Sequence, residues 1–428
     1  MSVDIKRREY GSGISLTEIC DPKFKSFTVC IRMVMPMIPE KAPLYSLAAD
    51  IIATSTRKYP QKEELSRALA ELYDASVGST ESRLGDKQIV MLTLNCICDG
   101  YTIGGEKVSQ KAVRLLLDCL FDPWLENGAL SEKYFNLCRA DMIDEIDAVV
   151  NYKNRYAAVL ANKRIFENEM SAISLCDYRE PLLSADPASV TEAYYELLKN
   201  AYFDVYISGG ECDGQTVEML LSELDKPGRT PYEVGSYLSP SAIKPEVCRA
   251  EDRARMNQSL LIMAYKTDSY NEYASKLFCA LLGSTPTSKL FSNVREKMSL
   301  CYYCSSTVID MKNTIVVSSG LDEQNLSIAE KAIAEQLEAI QKGDFTDEEL
   351  ENTKTYLAEA YLSNYDSKYQ LMIWYNYQFA HGTNDTPEEK GRKIRALTRE
   401  DIIREAQGYR LDTVFCLKPE DGGDSDEM

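Results

Sequence analysis

The sequence predicts an α+β protein of two homologous domains in tandem, each a mixed or antiparallel sheet covered by helices on one face. Three observations lead there. Stretches of the second half repeat stretches of the first in the same order. Strand-period and helix-period segments are mixed without a regular β-α-β alternation. A connector rich in proline and glycine lies between the copies.

The repeat is read from four matches. "IIATST" (51–56) and "ALLGST" (280–285) share an apolar run ending in Ser-Thr, and at the same offset "LYDAS" (72–76) falls on "CYYCS" (301–305), matching Tyr73 to Tyr302. "DKQIVMLTL" (86–94) then falls on "KNTIVVSSG" (312–320), and "LSEKYFNLCRADMIDEI" (130–146) on "FTDEELENTKTYLAEAY" (345–361). Both members of the last pair open with a hydroxyl N-cap and an acidic first turn, and Thr346 with Glu349 has the spacing of a capping box.

Each copy opens on a strand. In "FTVCIRMVM", Phe27, Val29, Ile31, Met33 and Met35 share one face, and "SLLIMAYKT" (259–267) is the counterpart. A helix follows, then a strand pair ("ASVGSTESR" and "KQIVMLTLN"; "CYYCSSTVI" and "TIVVSSGLD"), then long helices. "LSIAEKAIAEQLEAIQKG" (326–343) has helical spacing and stops at Gly343. The expected domains are therefore 1–223 and 248–417, with a linker at 224–247 and a disordered acidic tail at 418–428.

Composition narrows the function. The 428 residues are 44% hydrophobic and 9% aromatic, enough for packed cores. A formal charge of −19 disfavours a phosphate-backbone partner, so nucleic acid is not expected. No apolar run approaches membrane-spanning length and "MSVDIKRREYGSG" has no apolar core, which points to a cytoplasmic protein away from membranes. Thirteen scattered cysteines, mostly inside apolar runs, read as buried free thiols. Cys301 and Cys304 have C-x-x-C spacing, but no second pair completes a zinc site, and at a strand start they would face opposite sides. The one histidine, His381, lies in the second copy, and no glycine-flanked nucleophile accompanies it.

"LFSNVREKMSLCYY" (290–303), in the second copy of a duplicated α+β unit, resembles the insulinase/pitrilysin metallopeptidases, whose second domain carries Leu-Phe, Arg-Glu-Lys and Leu-x-Tyr. The resemblance implies the fold of insulinase- and mitochondrial-processing-peptidase-like proteins, with Arg295 and Tyr302 holding the substrate backbone. Guanidinium and phenol both donate to a peptide carbonyl or a developing oxyanion. On the residues alone, the plainer reading is that Arg295 pairs with an acidic neighbour and Tyr302 sits half-buried in a strand.

The family's His-x-x-Glu-His helix should lie in the first copy, before a turn of the type "TSTRKYP". The matching window, "SLAAD", holds Ser46 and Asp50 at the two histidines' places and Ala49 at the glutamate's. Glu145 stands where the family keeps its third ligand. Substrate-gripping residues remain and zinc-binding ones do not. The resemblance thus implies a non-catalytic subunit that takes a peptide or protein substrate and pairs with a paralogous zinc-binding peptidase. It implies no catalytic residue and no metal of its own, with zinc only in the partner chain. "ATSTRKYPQKEELSRALAELYDASVGSTESRLGDKQIV" resembles in particular the YmfF-type subgroup of Gram-positive bacteria, associated with 5-aminopentanol modification of elongation factor P. The alternative is a scaffold of the same fold without a peptide-binding role.

Overall fold

A computed structural model describes residues 3–420. Most of the acidic tail, 421–428, lies outside the described residues. Lys418 and Pro419 are in the last strand.

In the first half, β1 (Asp4–Tyr10), β2 (Ile14–Cys20) and β3 (Ser26–Pro36) precede α1 (Ala42–Ile52) and α2 (Lys62–Ala70). A hairpin of β4 (Ser76–Leu84) and β5 (Lys87–Ile97), α3 (Ser109–Phe121) and the short pair β6 (Leu125–Glu126) and β7 (Ala129–Leu130) follow. Then come α4 (Glu132–Ala148), α5 (Lys153–Ile165), α6 (Arg179–Ser184), α7 (Pro187–Asn200), β8 (Tyr202–Gly209) and α8 (Gly214–Leu224). The second half runs β9 (Cys248–Ala254), β10 (Ser259–Lys266), α9 (Glu272–Cys279), β11 (Tyr303–Ile309) and β12 (Thr314–Leu321). It continues with α10 (Leu326–Gln341), α11 (Asp347–Leu362), α12 (Lys368–Ala380), α13 (Pro387–Ala396), α14 (Arg399–Gly408) and β13 (Arg410–Pro419). Wide π-turns at Ala280–Ser284 and Leu290–Lys297 stand between α9 and β11.

The duplication is visible in the topology. One sheet has the order β1-β2-β8-β3-β5-β4 and the other β11-β12-β10-β13-β9. Read from the hairpin edge, β4-β5-β3-β8-β2 corresponds strand for strand to β11-β12-β10-β13-β9. In each sheet the single parallel pair is the equivalent one, β2 with β8 and β9 with β13. The Thr346–Glu349 capping box forms at the start of α11. α10 ends at Gln341, and Gly343 turns the chain at φ +77°, a conformation that favours glycine.

Both central strands are buried almost throughout, so helices cover both sheet faces rather than one. In the second sheet α9, α10 and α14 pack on one face around Leu277, Ile333 and Ala406. The opposite face, with Leu260, Ile262 and Phe415, takes α5 through Ala157, Ala161 and Ile165. Its small side chains let the helix approach closely. In the first sheet the equivalent helix is α12. Ser208 Oγ donates to the Lys368 carbonyl at 2.7 Å, Lys368 Nζ donates to Ser26 Oγ at 3.0 Å, and the Arg7 guanidinium lies 4.5 Å from the Phe379 ring centre. Gly209 is required there: a Cβ would meet Ser26 O at 2.4 Å and Lys368 Cδ at 3.0 Å.

The two compact units therefore do not follow chain order. Unit 1 comprises 1–147, 175–237 and 365–382, and unit 2 comprises 148–174, 238–364 and 383–428. Each half of the sequence sends one helix to the sheet of the other. His381, at the C-terminus of α12, is consequently part of unit 1 and not of the second domain as its chain position suggests. Among the described residues, no helix is long and apolar enough to cross a membrane.

Candidate functional site

α1 begins with Pro43 in its first turn and is buried on nearly every side, which follows from the run "APLYSLAADII". Its polar positions, Ser46 and Asp50, are one turn apart and face the edge strand β4. Four helical residues advance about 6 Å and two strand residues about 6.8 Å. That near-match lets the two elements pair side chain to side chain in opposite directions. Ser46 Oγ donates to Glu81 Oε2 at 2.5 Å, and Ser79 Oγ donates to Asp50 Oδ1. Behind Ser46, Gln88 Nε2 donates to Ser46 Oγ at 3.1 Å and to the Ala42 carbonyl at 2.8 Å. Glu81 Oε1 accepts from Tyr178 Oη at 2.6 Å, and Arg83 donates to that same phenol at 2.9 Å.

Burial raises the carboxyl of Asp50 above its ordinary range, and the nearby charges of Glu81, Glu145 and Asp141 push the same way against the Ser79 hydrogen bond. Glu145 thus lies within the electrostatic reach of Asp50, although it is itself exposed on α4. Ala49 is 1% exposed and offers no donor atom. These residues do not fit a zinc ion, which takes at least three protein nitrogen, sulfur or oxygen ligands. The Ser46 hydroxyl is spent on Glu81, and Asp50 is bound to Ser79 with its charge disfavoured. Among the described residues, no group of three or more His, Cys, Asp or Glu side chains is arranged to hold a metal.

The second candidate cluster lies in unit 2, where the structure brings Arg295 and Tyr302 to one open cleft of about 370 Å³, together with Leu300, Cys301, Asp322 and Asn325. Arg295 is carried by the π-turn Leu290–Lys297, its guanidinium 4.8 Å from the Phe291 ring centre and 3.6 Å from Glu296. Tyr302 is 60% exposed, not half-buried in a strand. Its amide donates to the Gly320 carbonyl at 2.8 Å, and its hydroxyl donates to Asp322 Oδ1 at 2.9 Å, which raises the phenol's pKa. The ring therefore stands in solvent with its hydroxyl oriented by a carboxylate, beside a guanidinium partly held by its own neighbours.

The bend at Tyr302 corrects the expectation for the cysteines. β11 begins only at Tyr303, so strand alternation does not extend back to Cys301. Cys301 packs against the same core that holds Cys304, while Tyr303 between them packs on the opposite sheet face.

A family model described as the peptidase M16 inactive domain matches residues 184–357. The chain is also 26% identical over 416 residues to the "Probable inactive metalloprotease YmfF" of Bacillus subtilis (strain 168), covering 96% of this chain and 97% of that protein. The chain thus resembles inactive M16-type peptidases. A solved conserved protein from Enterococcus faecalis V583 superposes with a TM-score of 0.89 at 27% identity, over 98% of this chain and 100% of the other. An M16 inactive domain from Pseudomonas fluorescens shares the fold, with a TM-score of 0.76 at 15% identity, over 98% of this chain and 99% of that one.

Ser46 and Asp50 are built into a hydrogen-bonded seam with Glu81 and Ser79 that ties α1 to the sheet edge. Sequence reasoning missed Glu81, Ser79, Tyr178 and Asp322. The alternation of "SVGSTESRL" does place Ser79, Glu81 and Arg83 on one face of β4, but nothing local says which helix that face meets. Asp322 follows β12 and reaches Tyr302 only through hairpin pairing.

Proposed function

We propose that this chain is the non-catalytic, peptide-binding member of a two-component M16-type peptidase whose zinc helix is supplied by a paralogous His-x-x-Glu-His chain. The observation that carries this reading is the cleft with Arg295 and Tyr302. A phenol so exposed, with its hydroxyl oriented by Asp322, next to a guanidinium, presents two donors suited to a peptide carbonyl. A core-stabilising role would not need such exposure. The likeness to a probable inactive metalloprotease supports the absence of catalysis from the chain alone, and the subgroup likeness extends the proposal to a cytoplasmic role beside elongation factor P modification.

The test is complementation. Mixed with a His-x-x-Glu-His paralogue, the wild-type chain should elicit peptide cleavage. Arg295→Ala and Tyr302→Phe should each lower turnover by roughly 10²–10³, the loss typical of one donor aimed at developing charge, while co-purification is unchanged. Full activity in both variants would replace this reading with a scaffold. Loss of the complex in both would make the pair structural.

A further inference from the structure

Of the thirteen cysteines, most are buried and held protonated: burial pushes the thiols of Cys96, Cys119 and Cys138 up to about 12. Cys301 and Cys304 differ in geometry. The bend at Tyr302 returns Cys301 to the core face that carries Cys304, so the two thiols share one side of the hairpin. Cys301 is partly exposed and lines the open cleft, whereas Cys304 is 5% exposed beneath it, opposite Ser319 in the hairpin register. Hydrogen bonding from Cys304 lowers Cys301 to about 7 despite its partial burial, with the Ser319 hydroxyl and the Arg295 charge adding to the effect, and the same interaction drives Cys304 strongly upward. An accessible thiolate with a buried resolving thiol beside it is the arrangement of a reversible dithiol.

We infer that Cys301 and Cys304 form a redox site that closes to an intramolecular disulfide on meeting a small dialkyl disulfide of the glutathione class. The Cys301 thiolate attacks one sulfur of the small disulfide, forming a mixed disulfide and expelling one small thiolate. Cys304 then gives up its proton and attacks Cys301 Sγ, forming the protein disulfide and expelling the second small thiolate. Two protein thiols lose two electrons and two protons, and one small disulfide becomes two thiols. Disulfide bonds are rare in reducing compartments, and the few found there are commonly redox-sensing, so the site does not depend on an oxidising location. It is independent of any peptide-binding role.

The experiment uses the full-length reduced chain with oxidised glutathione at pH 7, acid quenching, alkylation and tryptic mass spectrometry. Both cysteines fall in the peptide 298–312, between Lys297 and Lys312. In the wild type this peptide should take up no alkyl group and weigh two hydrogens less than the reduced form. Cys304→Ser should trap the glutathione adduct on Cys301, and Cys301→Ser should leave Cys304 as an alkylatable thiol. Without the oxidant, the rate of Cys301 alkylation should reach half its maximum at about pH 7. Recovery of the wild-type peptide with both thiols alkylated, or as a persistent glutathione adduct, would overturn the inference, and this wild-type measurement decides it even if a variant fails to fold.

Discussion

Replacing Ser46 by alanine tests the hydrogen-bonded seam that ties α1 to the edge strand β4. The substitution removes the donor at 2.5 Å from Glu81 Oε2 and one of two acceptors used by Gln88, which keeps the Ala42 carbonyl at 2.8 Å. Glu81 also keeps its Tyr178 bond and lies 3.8 Å from the Arg83 guanidinium. A hydrogen bond to a charged group contributes about 1.5–3 kcal/mol net. The Glu81 side chain is 19% exposed, so water can partly replace the lost donor, and the expected cost lies at the lower end, about 1.5 kcal/mol. For a unit of roughly 200 residues this corresponds to a drop of about 3–6 °C in Tm. The assay is urea denaturation and calorimetry of Ser46→Ala beside wild type. Ser46→His should cost at least as much, because Ser46 is 6% exposed and the ring would overpack the space. An unchanged or higher midpoint for Ser46→Ala would refute the claim that Ser46 has been recruited into a stabilising network.

Asp50 gives a pH signature. Because its folded pKa is raised, the neutral form is favoured, and the stability it contributes is complete below the ordinary carboxyl value and is lost as pH climbs through the folded one. Asp50→Asn should therefore raise the urea midpoint at neutral pH, with the gain vanishing near about pH 4; a lower midpoint at pH 7 would contradict this. Equilibrium dialysis against zinc should find no stoichiometric binding, since Ser46, Ala49 and Asp50 present too few available ligands; one zinc per chain would refute it. Ala161→Leu on α5, at a position with no exposed surface, should cost about 1–3 kcal/mol by overpacking the second sheet, measured as a lower denaturation midpoint.

What the sequence discloses is mostly what its local patterns encode. β3, β5, β10 and β12 were readable because apolar runs bounded by turns need little context, and α10 and the capping box of α11 because caps are local chemistry. β8 and β13 escaped notice: each is inserted into its sheet between strands distant in sequence, one of them parallel. The exchange of α5 and α12 was equally hidden. The small residues Ala157 and Ala161 signal a close contact but not which sheet receives it. For the candidate sites, a motif exposed Arg295 and Tyr302 because spacing carries it, while Glu81 depends on the register between a helix and an edge strand. The proximity of Cys301 and Cys304 was concealed by one bend at Tyr302, which ends the alternation that would have separated them.

The exchanged helices also bear on ancestry. A gene encoding one copy alone would have produced a sheet with an uncovered apolar face and a helix with no sheet of its own to cover. Two such chains complete each other by trading that helix, a reciprocal swap with the symmetry of a dimer. In this chain both partners of the exchange are joined covalently, so each supplies its helix to the other at the high effective concentration of a linked pair. Two separately expressed halves, cut within 225–247, should then fold stably only when mixed. If each half alone gave a cooperative unfolding transition equal to that of the intact chain, the single-copy ancestor would have needed no partner.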